Sequence, residues 1–485
     1  MCIYENIYFT LLLLIGGFFM SDSQSLEIKK HLPILSILLA GAFITILNQT
    51  LITTALPPIM KDFDVTQNTV QYLQSTFMLV NGIMIPITAF LIAKFTTRRL
   101  FIFAIGIFTF GTLVSAVAPS FSLLLIGRIL QGMGAGIMMP LLQTIMFLIF
   151  PIEARGRAMG IFGVVIAFAP AIGPSLSGYL VDQFPWRSVF YVVLPIGLII
   201  TISAYFVLKN VTEQTDPKLD IPSILLSTLG FGGLLYAFSI AGNVGWFSIS
   251  VLISGIVGTI TLILFIRRQT QLKEPILQFK VFSYRLFSLT TILGMIVFGA
   301  MISSTVILPL YMQNLLGFNA FHSGLAMLPG AVVMGLMNPI NGSLFDKYGA
   351  KWLLRIGLTI LTLTTFVFAT LTTETTFAYI VTLNALRMFG ISMVMMPSTT
   401  LGLNQLPNHL IPHGSAMNNT FRQMAGAIGT AILITIMTTA AKDETIKSQV
   451  IGVNMSFFVT GIIALIGLVI AFMINDSKKK KVKLI

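Results

Sequence analysis

Two amides, Asn48 and Gln49, stand side by side inside the apolar run "FITILNQTLITTALPP", residues 43–58. Thr45, Asn48, Gln49 and Thr53 recur at helical spacing and share one face. Uncharged amides buried at this depth can hold a neighbouring helix or a substrate by hydrogen bonds, but they do not titrate. A second oily run, "LLIGRILQGMGAGIMMP" at 124–140, sets Arg128 about one turn inside, with Gln131 on the same face. Arginine in hydrocarbon costs roughly 2.5–3.5 kcal/mol on insertion scales, so it is rare and turns toward the protein interior. Arg387 and Arg422 sit in comparable runs, and Asn418 precedes Arg422 by one helical turn. All 16 Asp and Glu fall in loops, helix ends or tails, and so do the four His. The buried chemistry is therefore positive and amide-based. It contains no general acid–base pair and no nucleophile with its base, so no catalytic residue is assigned and the chain is not read as an enzyme. "HLIPH" has metal-like spacing, but Pro412 interrupts a helix there; no metal site and no cofactor is expected.

The elements that must position these residues are long and apolar. Of 485 residues, 56% are hydrophobic and only 9% charged, against roughly 25% charged in ordinary soluble domains. A spanning helix needs about 20 apolar residues. Fourteen such stretches follow residue 30: 32–56, 72–93, 100–117, 123–150, 158–181, 188–208, 221–240, 246–266, 286–312, 323–345, 356–373, 375–401, 415–441 and 450–474. The fold class is thus all-α and integral to a membrane; a barrel would show alternating segments of ~10 residues instead. With the N-terminus inside, 22 of the 29 Lys and Arg fall on the cytoplasmic side. That bias puts both termini in the cytoplasm. It also explains the net charge of +13 without nucleic acid, which is not expected as a partner. The lipid bilayer is. The single cysteine excludes an internal disulfide framework. Residues 1–20 are too short to span and lack a basic start, so Met20 is read as the true initiator.

Fragments recur at an almost constant offset. "GIMMP" at 136–140 matches "MVMMP" at 393–397, and "AFLIAKFTTRR" at 89–99 aligns with "GSLFDKYGAKW" at 342–352. Two six-helix halves follow, 32–208 and 286–474, with two inserted helices in 209–285, a cytoplasmic N-terminus at 1–31 and a basic tail at 475–485. Halves related by an axis along the membrane normal characterise one large class of transporters. In "GSLFDKYGAKW", Gly342 permits close approach and Gly349 a tight turn. Asp346 can pair with Lys347, Lys351 or the positive start of the next helix. Such a cluster can latch one conformation; Lys94, Arg98 and Arg99 remain in the degraded first copy. "GIFGVVIAFAPAIGPSLSG" at 160–178 carries Gly163, Pro170, Gly173, Pro174 and Gly178 in one helix, which reads as a bent, small-faced helix between moving parts.

These motifs, with "WRSVFYVVLPIG" and "LPNHLIPHGSAMNNTFRQMAGAIGTAI", resemble the major facilitator superfamily. The fourteen-helix layout, the Arg128 motif and the Gly-Pro fifth helix look like its drug:proton antiporters of the EmrB/QacA type. The Asn-Gln-Thr of the first helix is similar to the lincomycin-resistance LmrB-like branch. The resemblance implies a twelve-helix core plus two peripheral helices. It also implies efflux of small amphiphilic drugs by alternating access, in exchange for protons, across a bacterial cell membrane. It makes the fifth-helix motif the antiporter signature. The family's first-helix acid is Asn48 here. Asn48, Gln49, Thr53, Arg128, Gln131, Met138, Arg387, Asn418 and Arg422 are expected along the path, in a protein working as a monomer. Three arginines with no carboxylate leave a desolvated cation unpaired, so neutral, zwitterionic or anionic amphiphiles are expected over cationic ones. Export of an endogenous anionic metabolite, signalling molecule or lipid is the alternative.

Overall fold

The computed structural model describes residues 22–475 apart from positions 213, 216, 442 and 444. The expectation for Met20 and most of the basic tail lies outside them. Among the described residues the regular elements are helical, and fourteen helices are long and apolar enough to cross a membrane. In chain order the first six are α1 (Asp22–Asp62), α2 (Tyr72–Lys94), α3 (Thr97–Ala116), α4 (Phe121–Ile149), α5 (Arg155–Gln183) and α6 (Ser188–Val207). Next come α7 (Ile221–Val244) and α8 (Ile249–Gln271). The last six are α9 (Arg285–Leu310), α10 (Ala320–Tyr348), α11 (Lys351–Phe368), α12 (Phe377–Leu403), α13 (Ile411–Ala440) and α14 (Ile446–Met473). Helices are the natural outcome, since backbone groups in hydrocarbon must bond within their own segment.

Starts and stops follow the local sequence. Ser120, Thr96 and Thr376 cap α4, α3 and α12 by accepting the N–H three residues on. α10 ends at Gly349, which takes φ +80° and donates its N–H to Phe345 O at 2.8 Å, a conformation that favours glycine. Pro412 does not break the chain at "HLIPH", as the sequence suggested. It occupies the first turn of α13, where proline's missing N–H has no helical partner to lose. The helix therefore starts at Ile411 and not at 415.

Helices α1–α6 pack mainly among themselves, as do α9–α14. α7 and α8 pair with each other, and α7 lies against α2 and α13. The two bundles meet chiefly where α5 packs along α10 and where α13 packs on α2 and α4. At one end α5 and α10 approach backbone to backbone: a Cβ on Gly156 would stand 2.6 Å from Gly342 O. No side chain fits there. This end also carries Arg155, Asp346, Lys347 and Lys351, and is called the basic face below. Burial is nearly unbroken toward it in α12 from Gly390 to Leu403 and in α13 from His413 to Thr420. It becomes patchy in the opposite halves of both helices. The bundles are closed at the basic face and looser at the other.

The inserted pair has its own clasp. Arg268, near the end of α8, donates to Asp220 at 2.7 Å through both Nε and Nη2. The bonds from Arg268 are the main cause holding the Asp220 carboxyl down to about 2, below the ordinary value of ~3.9. A depressed carboxylate stabilises the fold above its unfolded value, and the contribution is lost as pH falls toward the folded one. Wild-type protein should therefore lose melting temperature between pH 5 and about pH 2 more steeply than Asp220→Asn. Differential scanning fluorimetry of both proteins checks this, and parallel curves would show that the clasp contributes nothing.

Candidate functional site

The costliest group in the first bundle is caged by oxygen. Arg128 is 0% exposed. Its Nε donates to Leu73 O at 3.0 Å, and its Nη1 donates to Asn48 Oδ1 at 2.7 Å and to Gln131 Oε1 at 2.8 Å. Its carbon centre lies 4.4 Å from the middle of the Phe77 ring. Gln131 Nε2 donates onward to Thr112 Oγ1 at 2.9 Å. One guanidinium thus ties α4 to α1 and α2, and through Gln131 to α3. Hydrogen bonds to a charged group are worth about 1.5–3 kcal/mol each, and a desolvated cation over a ring adds about 2 kcal/mol. Together these offset the insertion cost without a carboxylate.

The amide face that opened the sequence reading is split. Asn48 is 2% exposed and occupied by Arg128, and Thr45 is buried with its hydroxyl bonded to Ala42 O at 2.9 Å. Gln49 is half-buried and Thr53 exposed. The expectation of one continuous cavity-facing row is corrected on this point: Asn48 faces into its own bundle. A carboxylate there would meet Arg128 before it met a cationic substrate. Met138 is likewise turned inward, where its terminal methyl, Cε, and the Phe101 ring crowd Gly41 of α1.

The second bundle holds the other two arginines apart. Arg387, 0% exposed, donates from Nη2 to Ala300 O at 2.8 Å and lies 5.6 Å and 5.9 Å from the Phe457 and Phe368 rings. Arg422, 4% exposed, donates from Nη2 to Met395 O at 3.0 Å and to Thr399 Oγ1 at 2.6 Å. Asn418 Nδ2 reaches the same Thr399 hydroxyl at 3.5 Å. The three guanidinium groups occupy separate cages, and do not pool in one shared space as the sequence reading had it.

Hydrogen bonds join the bundles near the basic face. Asp346 Oδ1 accepts from Gly156 N at 2.8 Å and Oδ2 from Arg157 N at 2.9 Å. The helix start that receives this carboxylate belongs to α5 of the other bundle, where a negative charge meets the positive end of the helix dipole. Arg155 Nη1 donates to Asn404 Oδ1 at 3.0 Å. Gln143 Oε1 accepts from Ser415 Oγ at 2.9 Å and Asn419 Nδ2 at 2.8 Å. Lys347 and Lys351 lie beside the Tyr348 and Trp352 rings, at 5.0 and 5.9 Å. The first-copy residues have other contacts: Lys94 Nζ donates to Pro217 O at 3.5 Å, Arg98 covers the Tyr205 ring at 4.6 Å, and the Arg99 N–H donates to the Thr96 hydroxyl that caps α3.

The fifth-helix motif, with Pro170 and Pro174, lies within one unbroken helix, α5. Gly163 abuts the Asn338 side chain of α10, Gly173 abuts Thr50 of α1, and Gly178 faces open space. Ser177 of α5 bonds Thr54 and, at 2.5 Å, Leu51 O of α1. Gln143, Asn338, Asn404, Ser415 and Asn419 were missed from the sequence. Each is an uncharged polar residue in or beside a span, and the signal was the one already used for Asn48.

Replacing Asn48 by Leu removes one acceptor from a buried charge, so stability should fall by about 2–3 kcal/mol. Asn48→Asp keeps the acceptor and should unfold no earlier than wild type. Thermal unfolding in detergent checks both; an unshifted Asn48→Leu would show that the bond does not hold Arg128.

Residues 38–430 match the Major Facilitator Superfamily. An uncharacterized MFS-type transporter of Bacillus subtilis, YcnB, is 54% identical over 92% of this chain and 95% of its own. The lincomycin resistance protein LmrB of Listeria innocua is 42% identical over 93% of this chain and 98% of its own. Among solved structures, the human organic anion transporter MFSD10 superposes with a TM-score of 0.68 at 13% identity, covering 91% of this chain and 99% of that one; at that identity the likeness is one of fold. With matches of this length, the chain belongs to the Major Facilitator Superfamily, in its LmrB-like fourteen-helix branch.

Proposed function

We propose that this protein exports amphiphilic, drug-like small molecules by alternating access, in exchange for protons. The observation that carries this reading is a seam closed by separable polar links at the basic face and looser at the other. Two bundles joined in this way can part as rigid bodies. Similarity to LmrB proteins at 42% identity supports drug efflux. The basic face is cytoplasmic and holds both termini, as the lysine and arginine bias requires. The working units are 32–208, 209–285 and 286–474, and the protein acts as a monomer.

The substrate meets bundles whose buried charges, among the described residues, are positive and already held by oxygens. Uncharged, zwitterionic or anionic amphiphiles fit that interior better than permanent cations, which would find no buried carboxylate among the described residues. Asp346 is the acid best placed to link protons to movement, because its negative charge is what the first N–H groups of α5 hold. Protonation removes that charge and loosens the link.

Proteoliposomes given a pH gradient or a voltage separately test the reading. Lincomycin flux should follow the pH gradient and exceed ethidium flux. Asp346→Asn should reduce the response to the gradient by about tenfold, in line with the loss of charge-assisted bonds worth about 1.5–3 kcal/mol. Flux indifferent to both gradients would refute antiport, and stronger ethidium export would refute the charge preference.

A further inference from the structure

The seam between α5 and α10 contains a group that resists its closure. Asn338 of α10 is 0% exposed, and neither its Oδ1 nor its Nδ2 has a hydrogen-bond partner. It is pressed against α5: a Cβ on Gly163 would stand 2.6 Å from its Cγ, and one on Gly160 would stand 2.6 Å from its backbone oxygen. The two glycines leave room for the amide and give it nothing to bond. A leucine has the same number and branching of heavy atoms with no polar atoms to desolvate, so apolar packing was available to this sequence at this position. The same seam holds another unpaired atom, Nε2 of Gln143 on α4, whose Oε1 accepts from Ser415 and Asn419 of the other bundle. Links and penalties therefore oppose each other along one interface.

We propose that Asn338 is a positioning residue of the transport cycle: its unpaired amide destabilises the closed basic face and sets how readily the two bundles part. When the bundles separate, water satisfies the amide and the penalty disappears. The closed state is thereby kept shallow enough to reopen in each cycle. A fully satisfied seam with the same Asp346 link would hold too long. Asn338 does not contact Asp346 in this account; it acts on the same equilibrium with the opposite sign.

The inference rests on the reading that transport parts this seam, and the test separates the two. Spin labels are placed at cysteines replacing Ile152 and Trp352, both exposed and on opposite bundles at the basic face, in a chain whose Cys2 is changed to Ser. Distances are measured without any drug. Asn338→Leu should lower the ratio of parted to closed molecules at least about fivefold, while raising melting temperature and slowing efflux. Asn338→Asp buries a costlier group and should raise that ratio. A residue that merely fills space predicts that both variants part the seam and melt earlier. That result, or an unchanged ratio in both, overturns the proposal. Wild-type protein with no parted population at any pH would overturn alternating access itself and the proposal with it.

Discussion

Hydrocarbon offers a polar group no water, so every buried donor and acceptor must be met from inside the protein or carry a penalty. That constraint organises this molecule. Arg128 brings five N–H donors into a place with no carboxylate, and three oxygens from three helices converge on it. The Leu73 carbonyl can accept because the α2 backbone passes at hydrogen-bond distance; Asn48 and Gln131 can accept because amides present an oxygen without a charge of their own. With an amide and not an acid at position 48, Arg128 is held by a cage of dipoles and not by an ion pair.

Paired and unpaired polar atoms occur both inside the bundles and between them. Within a bundle, hydroxyls bond their own helix a turn back, as Thr112 and Ser115 do, and longer donors find neighbours. Between bundles, closeness comes from Gly156 and Gly342 and from a few polar links, while Asn338 and Gln143 keep atoms unpaired. Unpaired atoms occur inside the bundles too, among them Arg128 Nη2, Thr362 Oγ1 and Asn384 Oδ1, so what distinguishes the seam is that separate polar links and close glycine contacts hold it.

How much of this was legible in the sequence follows from what each signal depends on. The fourteen spans were readable because length and hydropathy are local, and errors were confined to ends such as the start of α13, where Pro412 opens the helix instead of stopping it. Arg128 with Gln131 was readable because a charge in an apolar run demands a reason. The partner of Asn48 was not: helical spacing tells which residues share a face, not what lies opposite. Lys94 and Arg98 look like half of a cross-bundle cluster in sequence, yet Lys94 reaches the segment after α6 and Arg98 the Tyr205 ring, which no periodicity reveals. Asn338 and Gln143 lack the adjacent amide that marks Asn48 and Gln49, and helical spacing does not show that they lie at the seam. An uncharged amide carries almost as much information in hydrocarbon, since it too must be answered.

Fixed buried charge and a reversible seam divide the work of such a protein. With Arg128, Arg387 and Arg422 each held by oxygens of its own bundle, rigid-body movement carries the cages along intact, and the field inside each bundle changes little. What movement does change is the set of polar atoms at the seam, some bonded when closed and others desolvated when closed. In the proposed export cycle, selection among substrates would belong to the bundles, through the sign of the charge they already hold. The rate of cycling would belong to the seam, through the difference between what its links contribute and what its unpaired amides take away. The two properties rest on different residues, so either can vary in sequence without disturbing the other.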